Sequence, residues 1–378
     1  MKKGVPELLN RLWPALAGKT NSNLLVQLNF TALGSRIRVF IQYVLILAAT
    51  AFLVWFSLRG IHVEEGENKW DYLLDTWHRA DKVWLLVMLA FVMISHLLRA
   101  ERWRMLLKSA GHNTSLYNGF LSLMVGYLVN LVIPRGGEVS RCYNLYKLDK
   151  IPVEVSFGTV VVERIADLVF LLIVLALAFV IEADKLFTFI ETLPFQPAEG
   201  NGRLGTILIL IAVFVLVGFV GYYILKRNQK LRDRVQKIWK GFKTGFTSVL
   251  TLEKKGLFIF HSVVIWALYF LMSYAVIRAF DETAHLGFGA VLALFAIGAI
   301  AMAAPLPGGA GSYHVLLPAG LTLLYQVPQA DGVAFTFVFH GWQTIIMIVG
   351  GVISLILTSV LLRKQKDKPD VPDEEASV

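Results

Sequence analysis

The sequence predicts an all-α fold: a polytopic helical membrane protein with two Pro/Gly-broken re-entrant segments, arranged as an inverted repeat. Of its 378 residues, 56% are apolar and only 17% are charged, and the mean hydropathy is +0.62. Soluble domains usually carry about a quarter charged residues. Here the charges gather in short stretches between long apolar runs, which is typical of a chain that crosses a membrane repeatedly.

A helix that spans a bilayer needs roughly 20 apolar residues. The clear candidates are the six runs 39–58, 83–98, 157–181, 204–225, 257–279 and 333–361, of which 83–98 is short but extends at both ends. They predict a transmembrane domain over residues 39–362. A cytoplasmic N-terminal segment, 1–38, precedes it, and a charged cytoplasmic tail, 363–378, follows it.

Charge in the short connections predicts the orientation, because Lys and Arg favour the cytoplasmic side. The net charge is +9, and its basic stretches flank apolar runs, so topology and anionic lipid explain it without a nucleic acid partner. Segments 99–115 and 226–256 are basic and are predicted inside, together with both termini. Segments 59–82 and 182–202 are acidic and are predicted outside.

Two further apolar regions, 116–133 and 286–326, are interrupted by Pro and Gly. The orientation requires each region to return to the face from which it enters: the first to the cytoplasm, the second to the outside. The second region can do so as a hairpin or as two full crossings. Broken segments entering from opposite faces indicate an inverted repeat with a substrate site near the midplane. The alternative is that the breaks are tight loops at the membrane edge.

Three charged residues, Glu163, Arg164 and Asp167, lie in an otherwise apolar run. Each charge at membrane depth costs roughly 2.5–3.5 kcal/mol. Glu163 and Asp167 share a helix face, and Arg164 can pair with Asp167. They predict either a polar site that meets a lipid head group or an ion-pair cluster that locks helices together.

The first break carries Arg135, Gly136, Gly137, Glu138 and Arg141. The glycines allow close approach to a ligand or left-handed backbone angles. Arg141 lies one turn after Glu138 if a helix begins there, and arginine suits bidentate phosphate binding. A substrate-binding loop and a basic cytoplasmic loop are both compatible with this pattern.

The second break contains Pro307, Gly308, Gly309, Gly311 and His314. Its glycines are candidates to offer backbone N–H groups to a phosphate, and His314 is a candidate to titrate near neutral pH. No metal-ligand spacing, nucleotide-binding loop or nucleophile motif is visible in the sequence. We therefore expect no metal, no cofactor and no enzymatic activity.

Three motifs occur in order along the chain: Pro134-Arg135-Gly136-Gly137-Glu138 followed by Arg141, then VVVERIAD over residues 160–167, then Pro307-Gly308-Gly309-Ala310-Gly311. Over roughly residues 40–360 the chain resembles the lysylphosphatidylglycerol synthase transmembrane region family, also described as flippase-like membrane proteins. The resemblance implies a bacterial inner-membrane protein. In the best-known members this region moves aminoacylated phosphatidylglycerol to the outer leaflet.

The resemblance implies a stand-alone member, because a charged tail follows Leu362 where the family's synthases carry an aminoacyl-transferase domain. His314 stands where the family often has an acid. The expected function is translocation of anionic or aminoacylated phospholipid. The alternatives are a membrane-embedded enzyme on a lipid or polyprenyl phosphate and a non-transporting partner of a lipid-synthesis enzyme. Membrane phospholipids are the expected partners, with a homodimer and a lipid-synthesis enzyme as further candidates.

Overall fold

The computed structural model describes residues 44, 48, 50–59, 68–192, 229–304 and 306–366. All regular secondary structure in these ranges is helical, so the all-α prediction is confirmed. The chain divides into two compact units, Met1–Phe52 and Leu53–Val378. The candidate site lies in the second unit.

The helices are numbered in chain order over the described ranges. They are α1 (Thr50–Arg59), α2 (Lys69–Arg79), α3 (Lys82–Ser109), α4 (Leu116–Asn130), α5 (Gly137–Asp149), α6 (Val153–Thr192), α7 (Gln229–Thr247), α8 (Lys255–Arg278), α9 (Asp281–Ala284), α10 (Phe288–Ala303), α11 (Ser312–Tyr325) and α12 (Gln329–Lys366). Among them, α3, α6, α8 and α12 are long and apolar enough to cross a membrane. They contain the predicted runs 83–98, 157–181, 333–361 and all but the last residue of 257–279.

Several predicted segments lie outside the described residues. They are the N-terminal segment 1–38, most of run 39–58, run 204–225, and the tail beyond residue 366. The orientation and the inverted repeat therefore stay predictions.

Two helices extend further than the charge pattern predicts. Helix α3 continues to Ser109, so Arg99 and Arg102 are buried residues of a helix and not of a connecting loop. Helix α6 kinks at Glu182 and continues to Thr192. Segment 182–192 is helical because Leu186 and Phe189 bury their side chains against α10.

Both Pro/Gly-interrupted regions are broken helices. Helices α4 and α5 have 15 and 13 residues, and α10 and α11 have 16 and 14. Each is shorter than the roughly 20 residues that a spanning helix needs. The breaks are confirmed, and a re-entrant path for either region stays a prediction.

The core that holds these pieces together is apolar and lies mainly among α3, α8, α10, α11 and α12. Helix α3 runs along α8, with Met88 and Ala275 fully buried in the shared cluster. Helix α4 packs closely on α5. The contact is so close that a Cβ on Gly137 would lie 2.2 Å from the Gly126 carbonyl oxygen. Helices α3 and α5 lie against the acidic residues of α6.

Candidate functional site

Glu163, on α6, is fully buried and is paired with two arginines. One carboxylate oxygen lies 2.6 Å from Arg141 Nη2 on α5, and the other lies 3.7 Å from Arg102 Nε on α3. Both guanidinium groups are nearly inaccessible, and that of Arg141 lies over the Trp103 ring at 4.7 Å. Opposite charge offsets the cost of burying each group.

Asp167 lies one turn further along α6 and contacts three arginines. Its carboxylate oxygens are 2.6 Å from Arg102 Nη2, 3.3 Å from Arg99 Nη2 and 3.7 Å from Arg164 Nη1. The remaining terminal nitrogens of the α3 arginines donate to α8, Arg102 to the Ser262 hydroxyl and Arg99 to the Tyr269 hydroxyl. The predicted pairing of Arg164 with Asp167 is present, but two unpredicted arginines bind the same carboxylate more closely.

Glu138 completes the cluster by pairing with Arg164 at 3.2 Å. The members form one ion-pair network: Arg99, Arg102, Glu138, Arg141, Glu163, Arg164 and Asp167. Four guanidinium groups face three carboxylates, so the network carries one excess positive charge. Arg164 is 42% accessible, far more than the other three arginines. The network therefore has a buried structural part and one accessible cation.

The first break sets the position of Arg141. Helix α5 begins at Gly137, whose N–H donates to the Asn130 side-chain oxygen at 2.7 Å. Gly136 has a φ of −70° and Gly137 is helical, so the left-handed alternative for these glycines is wrong. The absence of a side chain at Gly137 instead permits the close contact with α4. That contact places Arg141, one turn into α5, opposite Glu163.

Arg135 joins the two broken regions. It adopts a φ of 59°, a left-handed conformation that is uncommon for a residue with a side chain. Its Nη2 donates to the carbonyl oxygen of Ala303, at the carboxyl end of α10, at 3.4 Å. Nearby, a Cβ on Gly308 would lie 3.0 Å from Leu131 Cδ2. The two breaks are therefore in direct contact.

A cavity of about 600 Å³, which we call the central cavity, lies beside the network and is bordered by both broken regions. Its charged wall consists of Arg99, Arg135, Arg164 and Asp167. Most of the remaining wall is apolar or aromatic, from residues of α3, α4, α6, α8, α10, α11 and α12. This size and mixture are typical of sites for small amphipathic ligands.

The glycine turn of the second break does not have the phosphate-binding arrangement that the sequence predicts. Gly308, Gly309 and Gly311 all have positive φ, as glycine permits. The Gly309 N–H donates to Leu306, and the Gly311 N–H donates to His314 Nδ1 at 3.3 Å. These two groups are engaged within the protein and are not offered to a phosphate. His314 is itself buried, against Phe337 and His340.

Pro307 is also buried and begins the short 3₁₀ turn Pro307–Gly309. Neither Pro307, Gly308, Gly309, Gly311 nor His314 lines the cavity. These five residues form the turn and the start of α11. Near this break, Met302 and Tyr313 line the cavity instead.

Sequence reasoning missed four residues that the fold brings to the site. Arg99 and Arg102 were assigned to a basic cytoplasmic segment, and His96 and Tyr127 were not singled out. One signal was available, since buried carboxylates need cationic partners and Arg99 and Arg102 are three apart on one helix face. In the described ranges no group of three His, Cys, Asp or Glu side chains is arranged to hold a metal ion.

Comparison with known proteins supports a membrane assignment. A UPF0104 membrane protein of Methanocaldococcus jannaschii is 37% identical over 86 residues, which cover 21% of this chain and 26% of that protein. A UPF0104 membrane protein of Methanothermobacter thermautotrophicus is 24% identical over 265 residues, 63% of this chain and 75% of that protein. The chain thus spans about a quarter of the first relative. No solved structure matches it significantly.

The family comparison covers the whole candidate site. Residues 68–351 match the lysylphosphatidylglycerol synthase TM region, a range that includes α3 to α11, the ion-pair network and both breaks. Together with the four candidate spans, the match identifies a multi-pass integral membrane protein. The chain belongs to the lysylphosphatidylglycerol synthase TM region family.

Proposed function

We propose that this protein moves the head groups of anionic phospholipids across the membrane through the central cavity, as a flippase-like translocase of the bacterial inner membrane. The observation that carries the proposal is the composition of the cavity wall: three arginines beside a long apolar surface, where two broken helices meet. Such a wall suits a phosphate group followed by acyl chains. Broken helices that meet around a cavity are a common arrangement in transporters.

Charge favours an anionic head group over an aminoacylated one. The cavity wall contains Arg99, Arg135 and Arg164 against the single carboxylate of Asp167. That carboxylate already contacts three arginines. An ammonium group would meet repulsion from these cations without a carboxylate of its own, whereas a phosphodiester would meet attraction.

Proteoliposomes that contain the purified protein and head-group-labelled phosphatidylglycerol test the proposal. We expect exchange between leaflets to be faster than in empty vesicles and to fall about tenfold or more in Arg164→Gln, because one charge-assisted contact is lost. The matched control is Arg104→Gln, since Arg104 lies outside the cavity and pairs with Glu101 at 2.7 Å.

Other results would replace the proposal. A chemically altered lipid product would identify a membrane-embedded enzyme. Equal exchange in protein-containing and empty vesicles, without product, would favour the partner of a lipid-synthesis enzyme. Exchange that is faster for lysyl-phosphatidylglycerol than for phosphatidylglycerol would contradict the charge argument.

A further inference from the structure

Three neighbouring side chains in the central cavity carry hydrogen-bonding atoms that no described residue uses. They are both ring nitrogens of His96, the Tyr127 hydroxyl and Arg99 Nε. All these atoms are buried, and His96 as a whole is only 6% exposed. Buried polar atoms in proteins nearly always have a partner. Three such residues bordering one cavity point to a ligand.

The three groups lie next to one another. The His96 ring, on α3, lies 4.6 Å from the Tyr127 ring, on α4, and the Arg99 guanidinium carbon lies 5.9 Å from the same tyrosine ring. The terminal nitrogens of Arg99 are held by Tyr269 at 2.6 Å and by Asp167 at 3.3 Å. These bonds fix the guanidinium and leave Nε without a partner.

The free atoms include three hydrogen-bond donors. A neutral imidazole offers one N–H, a phenol offers one O–H, and the arginine Nε offers one N–H. Three donors on neighbouring side chains suit a ligand whose oxygens only accept hydrogen bonds, and a phosphodiester is such a group. A cationic group would find only the second imidazole nitrogen and the phenol oxygen as free acceptors, beside the charge of Arg99, because the carboxylate of Asp167 is already occupied by arginines.

We propose that His96, Arg99 and Tyr127 form the subsite that holds the phosphate of the lipid head group. The assignment rests on the proposed lipid function, and it places the phosphate against α3 and α4. The glycine turn is a poorer candidate, since the N–H groups of Gly309 and Gly311 bond within the protein.

Binding of short-chain phosphatidylglycerol to the full-length protein in detergent, followed by calorimetry, tests the subsite without requiring transport. We expect Tyr127→Phe and His96→Phe each to weaken binding about tenfold, because each removes contacts to a charged ligand while keeping the ring. Unchanged affinity in both variants would overturn the subsite.

Matched controls remove the same atoms elsewhere. The Tyr325 hydroxyl and His261 Nδ1 are also buried without a hydrogen-bond partner among the described residues, and neither residue lines the cavity. Tyr325→Phe and His261→Phe should bind phosphatidylglycerol as the wild type does. Losses equal to those of the cavity variants would mean that a fold effect explains the result, and would overturn the assignment.

Two further ligands test whether the phosphate of a lipid is what binds. Short-chain diacylglycerol lacks phosphate, so its affinity should be the same in the wild type, Tyr127→Phe and His96→Phe. Inorganic phosphate should bind far more weakly than phosphatidylglycerol. If it binds equally tightly, the subsite serves free phosphate and the lipid assignment is overturned.

A measurement on the wild type is independent of any variant's folding. Histidines labelled with ¹⁵N should include one ring with a ³¹P–¹⁵N dipolar coupling to bound phosphatidylglycerol, and the absence of any coupling overturns the subsite.

The leaflet-exchange assay separates the two proposals. Binding that depends on His96 and Tyr127 without exchange keeps the subsite and rejects translocation. Exchange that is equally fast in the wild type and in both variants rejects the subsite and keeps the translocation proposal.

Discussion

The two Pro/Gly breaks look alike in sequence and differ in what they do. The first places Arg135 beside the cavity and leads into α5, whose Glu138 and Arg141 join the ion-pair network. The second is a tight turn of positive-φ glycines, beside the buried His314, in which the N–H groups of Gly309 and Gly311 bond internally. The difference teaches that a Pro/Gly break predicts irregular backbone, whereas the charged side chains around it decide whether it faces a ligand.

The strongest test of this contrast is Glu163→Gln. The change leaves the buried Arg141 without its carboxylate, while Arg102 keeps Asp167, so we expect the free energy of unfolding in detergent to fall by about 3–5 kcal/mol. Denaturant unfolding followed by tryptophan fluorescence measures it. Glu101→Gln is the matched control, because its ion pair with Arg104 is at the surface and should contribute about 1 kcal/mol or less. Equal losses would contradict a buried network.

Gly137→Ala probes the close backbone contact between α4 and α5 at the first break. Its Cβ would lie 2.2 Å from the Gly126 carbonyl oxygen and 2.6 Å from the Asn130 side chain. We expect a loss of about 1–3 kcal/mol of unfolding free energy. Gly341→Ala on α12 is the control, since no atom lies within 4 Å of its Cβ position and alanine favours a helix by about 0.5–1 kcal/mol. A stable Gly137→Ala protein would show that α4 and α5 separate easily.

The fold was more predictable than the site for a physical reason. Apolar runs and Pro/Gly breaks are local patterns, so the helices around the described spans and both interruptions could be predicted. Glu163 and Asp167 could be singled out because charge is costly in an apolar run. Arg99 and Arg102 were missed because a basic stretch at a helix end also satisfies the positive-inside rule. His96 could not be found, since partnerless atoms are recognised only in three dimensions.

Gly311→Ala tests the second break, where the substitution changes the backbone conformation and removes no charge. Gly311 has a φ of 96°, and a Cβ there would lie 2.9 Å from Leu53 Cβ. We expect a loss of about 1–2 kcal/mol of unfolding free energy, because a residue with a side chain is strained in this conformation. Among the molecules that fold, affinity for short-chain phosphatidylglycerol should match the wild type. A selective loss of lipid affinity would indicate that the glycine turn is part of the binding site.

The smallest effect is expected for His340→Phe, which removes a side-chain hydrogen bond to the second break and keeps an aromatic ring. His340 Nε2 lies 3.0 Å from the Gly308 carbonyl oxygen and does not line the cavity. One hydrogen bond contributes about 1 kcal/mol, so thermal unfolding should shift slightly and lipid affinity should not. His340→Gln keeps an N–H donor of similar reach and should recover most of the loss. If His340→Phe instead weakened lipid binding as strongly as Arg164→Gln, the second break would share the ligand-facing role of the first, and the distinction between them would fail.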